Sequence, residues 1–115
     1  MADCLFCGIV AGNIPAKVVK RTADALAFHD IDAKAPVHVL VIPTRHVPAV
    51  RNATGAEGEA LLGRLMAFAA EVAAELGLDA RGYRIVTNTG PDAGQSVDHL
   101  HLHVLGGRKF TWPPG

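Results

Sequence analysis

His99-Leu100-His101-Leu102-His103-Val104-Leu105 is the most regular pattern in this 115-residue chain. Histidines and aliphatic residues alternate along it, and the side chains of a β-strand alternate between the two faces of a sheet. The pattern therefore predicts a strand over residues 99–105, with its aliphatic side chains in a core and all three imidazoles on the opposite face. Such a face offers nucleophiles, proton donors or metal ligands near neutral pH.

The spacing of the three histidines leaves three interpretations open. They could bind one metal ion, one of them could attack a phosphorus atom, or all could be polar residues of a solvated face. The preceding loop favours a phosphate ester, because Gly90 and Gly94 allow the backbone to aim several N–H groups at one point and Ser96 adds a hydroxyl donor. Asn88, at the end of the strand before this loop, can both donate and accept hydrogen bonds.

Composition limits the choice of partner and location. Half of the residues are hydrophobic, which suits a single domain over residues 1–115 with a substantial core. Eleven basic residues balance eleven acidic ones, so we expect neither a nucleic acid nor a membrane surface as partner. The sequence has no apolar run near the roughly 20 residues that span a bilayer and no signal-peptide pattern, which makes the cytoplasm the expected location.

The order of predicted elements favours an α+β fold with a mainly antiparallel sheet over a βαβ fold. One long helix is predicted from Glu57 to Leu76, behind an N-cap at Thr54, with two adjacent apolar stripes. An apolar arc this wide fits either a broad contact with its own sheet or the surface of a partner. The other predictions are a short helix over residues 5–11 and strands over residues 17–20, 25–30, 37–42, 83–88 and 99–105.

The histidine strand resembles the signature of the histidine-triad (HIT) superfamily, in which three histidines are separated by hydrophobic residues. The resemblance extends over nearly the whole chain and points to the Hint branch, the histidine-triad nucleotide-binding proteins. The other segments that carry it are Ile14-Pro15-Ala16-Lys17, Ala27-Phe28-His29-Asp30-Ile31, Ala35-Pro36, Leu40-Val41-Ile42-Pro43, Gly94-Gln95-Ser96-Val97, Gly106-Gly107-Arg108 and Trp112-Pro113-Pro114-Gly115.

This resemblance implies a fold and an activity. The fold would be a five-stranded antiparallel sheet with a short N-terminal helix and one long helix, in a homodimer with a continuous ten-stranded sheet. The activity would be hydrolysis of the P–N bond of purine nucleoside 5′-phosphoramidates, such as adenosine 5′-phosphoramidate, without a catalytic metal. His101 would be the nucleophile that forms a nucleotidyl-histidine, with His103 and Ser96 near the phosphate and His38 behind the nucleophile.

The same resemblance implies a site for purine nucleoside monophosphates and phosphoramidates. Asp30 would accept hydrogen bonds from the ribose hydroxyls, Asn88 would contact the ribose–phosphate region, and N–H groups from Gly94 to Ser96 would hold phosphate oxygens. Taken by sequence alone, Asp30 also fits a strand-end turn and His38 a buried histidine. The remaining implied nucleotide contacts are Leu5, Phe6, Ile9, Phe28, Ile31, Gln95, Val97 and Trp112, the last at the site of either subunit.

Cys4 and Cys7 are the only cysteines and form a C-x-x-C pair. A redox pair of the thioredoxin type needs a preceding strand, for which Cys4 lies too close to the N-terminus. Free thiols are one remaining interpretation, and half of a tetrahedral zinc site is the other. Resemblance to bacterial members of the superfamily implies a structural zinc with His46 and His99 as the other two ligands.

Two other classes of function remain open at this point. The protein could be a nucleotide-binding regulatory module in which hydrolysis is incidental. It could also be a metal-dependent hydrolase that uses the histidine strand as its ligands.

Overall fold

The computed structural model describes residues 3–115 and confirms the predicted α+β fold, with a five-stranded antiparallel sheet, one short helix and one long helix. In chain order the elements are α1 (Leu5–Val10), β1 (Val18–Arg21), β2 (Ala25–His29), β3 (Val37–Pro43), α2 (Gly55–Glu75), β4 (Tyr83–Val86) and β5 (Leu102–Gly106). The strands lie in the order β1-β2-β3-β5-β4, which makes β3 and β5 central neighbours. No helix among residues 3–115 combines the length and apolar character needed to cross a bilayer.

The long helix α2 covers one face of the sheet. It begins directly after Thr54, as predicted, although the Thr54 side chain makes no capping hydrogen bond. Its apolar stripe packs on the sheet because residues three or four apart lie on one face of a helix. The core between α2 and the sheet includes Ala25, Ala27, Val39, Val41, Leu61, Leu65, Phe68, Ala69, Val72, Ala73, Leu100, Leu102 and Val104.

The short helix α1 lies on the opposite face of the sheet and leaves part of that face uncovered. Phe6 is its one buried residue, and its ring meets the Phe28 ring edge-on at 5.5 Å between centroids. A smaller second core forms around Phe6, with Leu26, Phe28, Leu40 and Ile42 from β2 and β3. The sheet therefore has one fully packed face and one face that holds a short helix beside open surface.

The last strand begins three residues later than the histidine pattern predicts. The backbone just before this strand forms hydrogen bonds outside the sheet. The Leu100 N–H donates to the Val47 carbonyl at 2.6 Å, and the Thr87 hydroxyl donates to the His101 carbonyl at 2.9 Å. The predicted alternation still holds, since Leu100 joins the α2 core while the His99 and His101 rings contact the aromatic ring of α1. The other predicted element boundaries lie within two residues of those observed.

Candidate active site

A cleft of about 240 Å³ opens between α1 and the uncovered face of the sheet. Its walls are mainly apolar, and its polar side chains include two of the three histidines of the pattern. The cleft brings together ten of the residues implied for the nucleotide site, namely Leu5, Phe6, Ile9, Phe28, Asp30, Ile31, Ser96, Val97, His101 and His103. Five lining residues were not among those expected to bind nucleotide: Ile14, Pro15, Ala16, His29 and Leu40.

His101 has one ring nitrogen bound and the other free. Its Nδ1 lies 2.7 Å from the His99 carbonyl oxygen, which can only accept, so Nδ1 carries the proton of the neutral ring. Among the described residues no buried side-chain nitrogen lacks a partner, and His101 Nε2 makes no hydrogen bond, so Nε2 reaches the open space of the cleft. His101 therefore presents an unprotonated nitrogen to any bound molecule.

His103 has the opposite tautomer, and a chain of hydrogen bonds determines it. The Lys34 backbone N–H donates to His38 Nδ1 at 3.0 Å, so the proton of neutral His38 lies on Nε2. His38 Nε2 is 2.9 Å from His103 Nδ1, which must then accept. The proton of His103 consequently lies on Nε2, and this second imidazole offers the cleft a hydrogen-bond donor.

His38 and Asp30 make contacts that the sequence did not indicate. His38 contacts His103 rather than standing behind His101 as expected, because β3 places it diagonally across from His103. The Asp30 carboxylate accepts from the Asp32 N–H at 2.8 Å and lies 3.4 Å from His38 Nε2. Asp30 thus lines the cleft and also holds the proton of His38 in place.

Asp30, His38 and His103 also lie close enough to be considered as metal ligands. Their hydrogen bonds argue against that role, because both nitrogens of His38 are occupied: Nδ1 accepts from Lys34, and Nε2 carries the proton that His103 accepts. A metal on Nε2 would displace that proton. The cluster is therefore arranged to orient protons.

Burial favours the uncharged forms of His38 and His103. The pKa of His103 is lowered to about 4, mainly by loss of solvent and also by the neighbouring His101 and His38, while Asp30 opposes the shift. Burial also lowers the pKa of His38, again against Asp30. A neutral His103 still donates through Nε2–H, so the site does not need an imidazolium to provide a donor.

The glycine loop offers fewer backbone donors than expected. The Gly94 N–H donates to the Pro91 carbonyl at 3.0 Å and the Gln95 N–H to the Gly90 carbonyl at 3.1 Å, so the loop uses two of its three predicted anion donors internally. Within residues 3–115 the Ser96 N–H makes no backbone hydrogen bond. The exposed Ser96, with its hydroxyl and its N–H, is the part of this loop that remains available.

Four of the expected nucleotide contacts do not line the cleft formed by residues 3–115: Asn88, Gly94, Gln95 and Trp112. The Gln95 amide is fully used, since it accepts from the Gly90 N–H and donates to the carbonyls of Pro48 and Val97. Its side chain closes the loop instead of facing a ligand. Trp112 is 82% exposed, far from being buried in its own chain.

The N-terminal cysteines meet two histidines at a second place, next to the first. Cys4 Sγ lies 3.4 Å from His99 Nδ1, and Cys7 Sγ lies 3.3 Å from His46 Nδ1 and 3.6 Å from His99 Nδ1. A tetrahedral zinc with bonds of about 2.3 Å to sulfur and 2.0–2.1 Å to nitrogen has sulfur–nitrogen edges of roughly 3.5 Å. The four side chains therefore fit such a metal.

The surroundings of His99 also suit a metal ligand. Its Nε2 donates to the Pro43 carbonyl at 2.9 Å, which leaves the Nδ1 lone pair facing the two sulfurs. Burial lowers the pKa of His99, so the ring is neutral as a ligand must be. The Cys7 N–H also points at Cys4 Sγ, at 3.4 Å.

The α+β fold and the largely apolar cleft that holds His101 and His103 agree with the family to which this chain belongs. The chain is a member of the HIT domain family, whose model matches residues 11–110. It is 50% identical over 113 residues to an uncharacterized HIT-like protein of Synechocystis sp.. The alignment covers 98% of this chain and 97% of that protein.

Solved structures show the same fold. A HIT family hydrolase from Legionella pneumophila Philadelphia 1 superposes with a TM-score of 0.94 at 44% identity, covering 98% of this chain and 100% of that one. A histidine triad nucleotide-binding protein from Candida albicans gives a TM-score of 0.82 at 31% identity, covering 96% and 83%.

The lowered pKa of His103 predicts that stability falls in mild acid. Between about pH 6.5, where an unfolded histidine titrates, and about pH 4, the unfolded chain binds a proton that the folded chain does not, so unfolding becomes easier as the pH drops. We expect His103→Gln to weaken this pH dependence of the free energy of unfolding, measured in urea between pH 7 and pH 4.5. The control is His29→Gln at the exposed His29, and an unchanged pH dependence in His103→Gln would contradict the assignment.

Proposed function

We propose that this protein is a hydrolase of purine nucleoside 5′-phosphoramidates that acts through a covalent nucleotidyl-histidine on His101. The observation that carries the proposal is the 2.7 Å contact between His101 Nδ1 and the His99 carbonyl, which leaves Nε2 as a free nucleophile in the cleft. The names of two relatives agree with it: one is called a HIT family hydrolase and the other a histidine triad nucleotide-binding protein.

The first half of the proposed reaction transfers the nucleotidyl group to the enzyme. His101 Nε2 forms a bond to phosphorus while the P–N bond breaks, and the leaving nitrogen takes up one proton from the solvent, to which the water of the second half returns one, and departs as an amine. His101 keeps its Nδ1 proton, so the phosphorylated ring is positively charged, and the His99 carbonyl stabilises that charge by accepting its hydrogen bond. His103 Nε2–H donates to a phosphoryl oxygen, and the Ser96 hydroxyl lies at the rim to assist the leaving group.

The second half returns the enzyme to its starting state. A water molecule attacks phosphorus, the bond to His101 Nε2 breaks, and the water gives up one proton. The nucleoside monophosphate leaves with the oxygen of that water, so the net reaction consumes one water and releases one amine. The neutral state of His103 suits both halves, since it donates to phosphoryl oxygens without holding the anionic product as an imidazolium would.

The walls of the cleft suggest how a nucleotide lies in it. The apolar residues of α1 and β2, among them Phe6 and Phe28, suit the faces of a purine base. Asp30 retains free lone pairs beyond its contacts with Asp32 and His38, and a carboxylate can accept from both hydroxyls of a ribose. This arrangement brings the 5′-phosphate to His101 and His103.

A metal-dependent hydrolase using the histidine strand is the less favoured alternative. The three imidazoles have separate partners: His99 faces two cysteines, His101 bonds a carbonyl, and His103 bonds His38. Among the described residues, His101 belongs to neither cluster that could hold a metal ion. A nucleotide-binding module would use the same cleft. A measurement of turnover distinguishes it from a hydrolase, because hydrolysis by the module would be negligible.

We further propose that Cys4, Cys7, His46 and His99 hold a structural zinc outside the reaction. The zinc would tie the start of α1 to the segment that carries the nucleophile, because Cys4 is the N-cap of α1 and His99 is two residues from His101. Bound to these ligands, the ion supplies cross-linking and no catalytic chemistry. Two free thiols in this role require a reducing compartment, which agrees with the cytoplasm as location.

The homodimer remains part of the proposal. β4 is an edge strand whose four residues are all only half-buried, and Met66 on the second apolar stripe of α2 is 50% exposed. Pairing of two β4 edges would extend the sheet to ten strands and cover both features. Sedimentation velocity distinguishes this dimer from a 12.1 kDa monomer, and a monomer at micromolar concentration would contradict it.

Replacing the nucleophile tests the proposed reaction. We expect His101→Asn to reduce kcat/KM for adenosine 5′-phosphoramidate by at least about a thousandfold, because no other group takes over a covalent step. The control His29→Asn, at an exposed histidine of the same cleft, should stay within about threefold of the wild type. The wild type should keep its turnover during brief exposure to a chelator.

Other results would point to the other classes. Loss of turnover with the chelator, while circular dichroism shows an intact fold, would favour a metal-dependent hydrolase. Negligible turnover by the wild type together with tight binding of purine nucleotides would favour a binding module.

Metal analysis tests the zinc proposal separately. Protein purified with reduced thiols and no chelator should contain one zinc per chain, and the double substitution Cys4→Ser and Cys7→Ser should remove it. We expect that variant to unfold at a lower temperature, because loss of the ion frees α1 from His99. Wild-type protein without stoichiometric zinc would overturn the proposal.

A further inference from the structure

We propose that Arg108 is a positioning residue for this reaction, acting through the backbone of Lys34 on the tautomers of His38 and His103. The inference rests on the proposed function only for the predicted effect on kcat, and the predicted effect on the histidine tautomers is independent of it. Arg108 follows β5 and does not line the cleft between α1 and the sheet, so its role would be indirect.

Hydrogen bonds on both sides of Lys34, joined by the backbone of that residue, connect Arg108 to the cleft. Its Nε and one terminal nitrogen both donate to the Lys34 carbonyl, at 3.3 and 3.1 Å. The N–H of the same residue, Lys34, donates to His38 Nδ1 at 3.0 Å, and His38 Nε2 lies 2.9 Å from His103 Nδ1. Arg108 therefore holds the carbonyl of Lys34, the residue whose N–H fixes which nitrogen of His38 carries the proton.

The geometry around Arg108 shows that its guanidinium is held in place. Its carbon lies 4.2 Å from the centroid of the Phe110 ring, a stacking distance, and its other terminal nitrogen donates to the Lys109 carbonyl at 3.3 Å. Within residues 3–115 no carboxylate forms a salt bridge with Arg108. The side chain is thus committed to backbone carbonyls, and its two-pronged contact with Lys34 is one that a lysine could not reproduce.

A second contact joins the loop between β2 and β3, which contains Lys34, to the residues that follow β5. Gly107 has a φ of +89°, and a Cβ built on it would lie 2.8 Å from a side-chain carbon of Pro36. The absence of a side chain lets the segment around Pro36 approach this closely. The loop between β2 and β3 is consequently fixed at Pro36 and at Lys34 by two consecutive residues.

Loss of Arg108 would release the Lys34 backbone while leaving the apolar cleft intact. Without a fixed donor at Nδ1, only the Asp30 carboxylate, 3.4 Å from Nε2, still favours a proton on that nitrogen, so in part of the population neutral His38 moves its proton to Nδ1 and accepts through Nε2. His103 would then donate through Nδ1 toward His38 and lose the Nε2 proton that faces the phosphoryl oxygen. The chemical step would slow, whereas base and ribose binding would change little.

The test compares Arg108→Ala, Arg108→Lys and the neighbouring control Lys109→Ala, whose exposed side chain forms no salt bridge among the described residues. We expect Arg108→Ala to lower kcat about threefold with KM within twofold, because kcat falls in proportion to the fraction of molecules that keep a donor worth 10²–10³ when removed outright. Arg108→Lys should fall between it and the wild type, and Lys109→Ala should match the wild type.

The decisive measurement is which ring nitrogen of His103 carries the proton. ¹⁵N NMR of labelled protein without substrate reports it. The wild type and Lys109→Ala should show Nε2–H, and Arg108→Ala should show a mixture of Nε2–H and Nδ1–H. An unchanged Nε2–H in Arg108→Ala, or a loss of stability with kcat unchanged, would overturn the positioning role. Because the spectrum needs no turnover, it decides this inference even if the protein hydrolyses no phosphoramidate.

Discussion

The antiparallel register between β3 and β5 determines the candidate site. It pairs Leu40 with His103 and Val39 with Val104, so His38, two residues before Leu40, lies diagonally across from His103 on the same face. The rings then meet with Nε2 and Nδ1 2.9 Å apart. A slip of one residue would turn every side chain of β3 to the other face and place valine next to His103. The large core under α2 therefore also holds the register on which the histidines depend.

His99 connects the two parts of the site. Its carbonyl orients the nucleophile candidate His101, while its imidazole faces the sulfurs of Cys4 and Cys7. Phe6 packs edge-on against both rings, with centroids 5.9 Å from His99 and 5.2 Å from His101. The N-terminal segment, the proposed metal ligands and the proposed nucleophile thus form one packed unit, so we expect a substitution of the cysteines to alter the cleft through these short contacts.

The sequence predicts the features that local periodicity controls. Alternation places Leu100, Leu102 and Val104 in the core, and the helical stripe that includes Leu61 and Leu65 is buried as expected, since each pattern depends on neighbours along the chain. The start of the last strand is not predictable in the same way, because it depends on where the chain's other backbone groups lie. The residues just before it bond to Val47 and Thr87 instead of a neighbouring strand.

The hydrogen-bond partners of the histidines also depend on distant residues. Nothing near His38 in the sequence indicates that Lys34 orients one side of its ring and His103 the other, or that Arg108 holds Lys34. Likewise the Gln95 amide matches a nucleotide-contact motif but serves its own loop. Family resemblance identifies ten of the residues that meet at the cleft, whereas the tautomers follow only from three-dimensional contacts.

The central claim is that His101 becomes covalently nucleotidylated during turnover. The direct measurement is mass spectrometry of protein quenched in alkali, where the histidine P–N bond persists, within the first turnovers of adenosine 5′-phosphoramidate. We predict one adenylyl group on the peptide that contains residues 99–103, with fragment ions that assign it to His101. Steady turnover with no modified peptide at any quench time, or an adenylyl group assigned to His103, would contradict it.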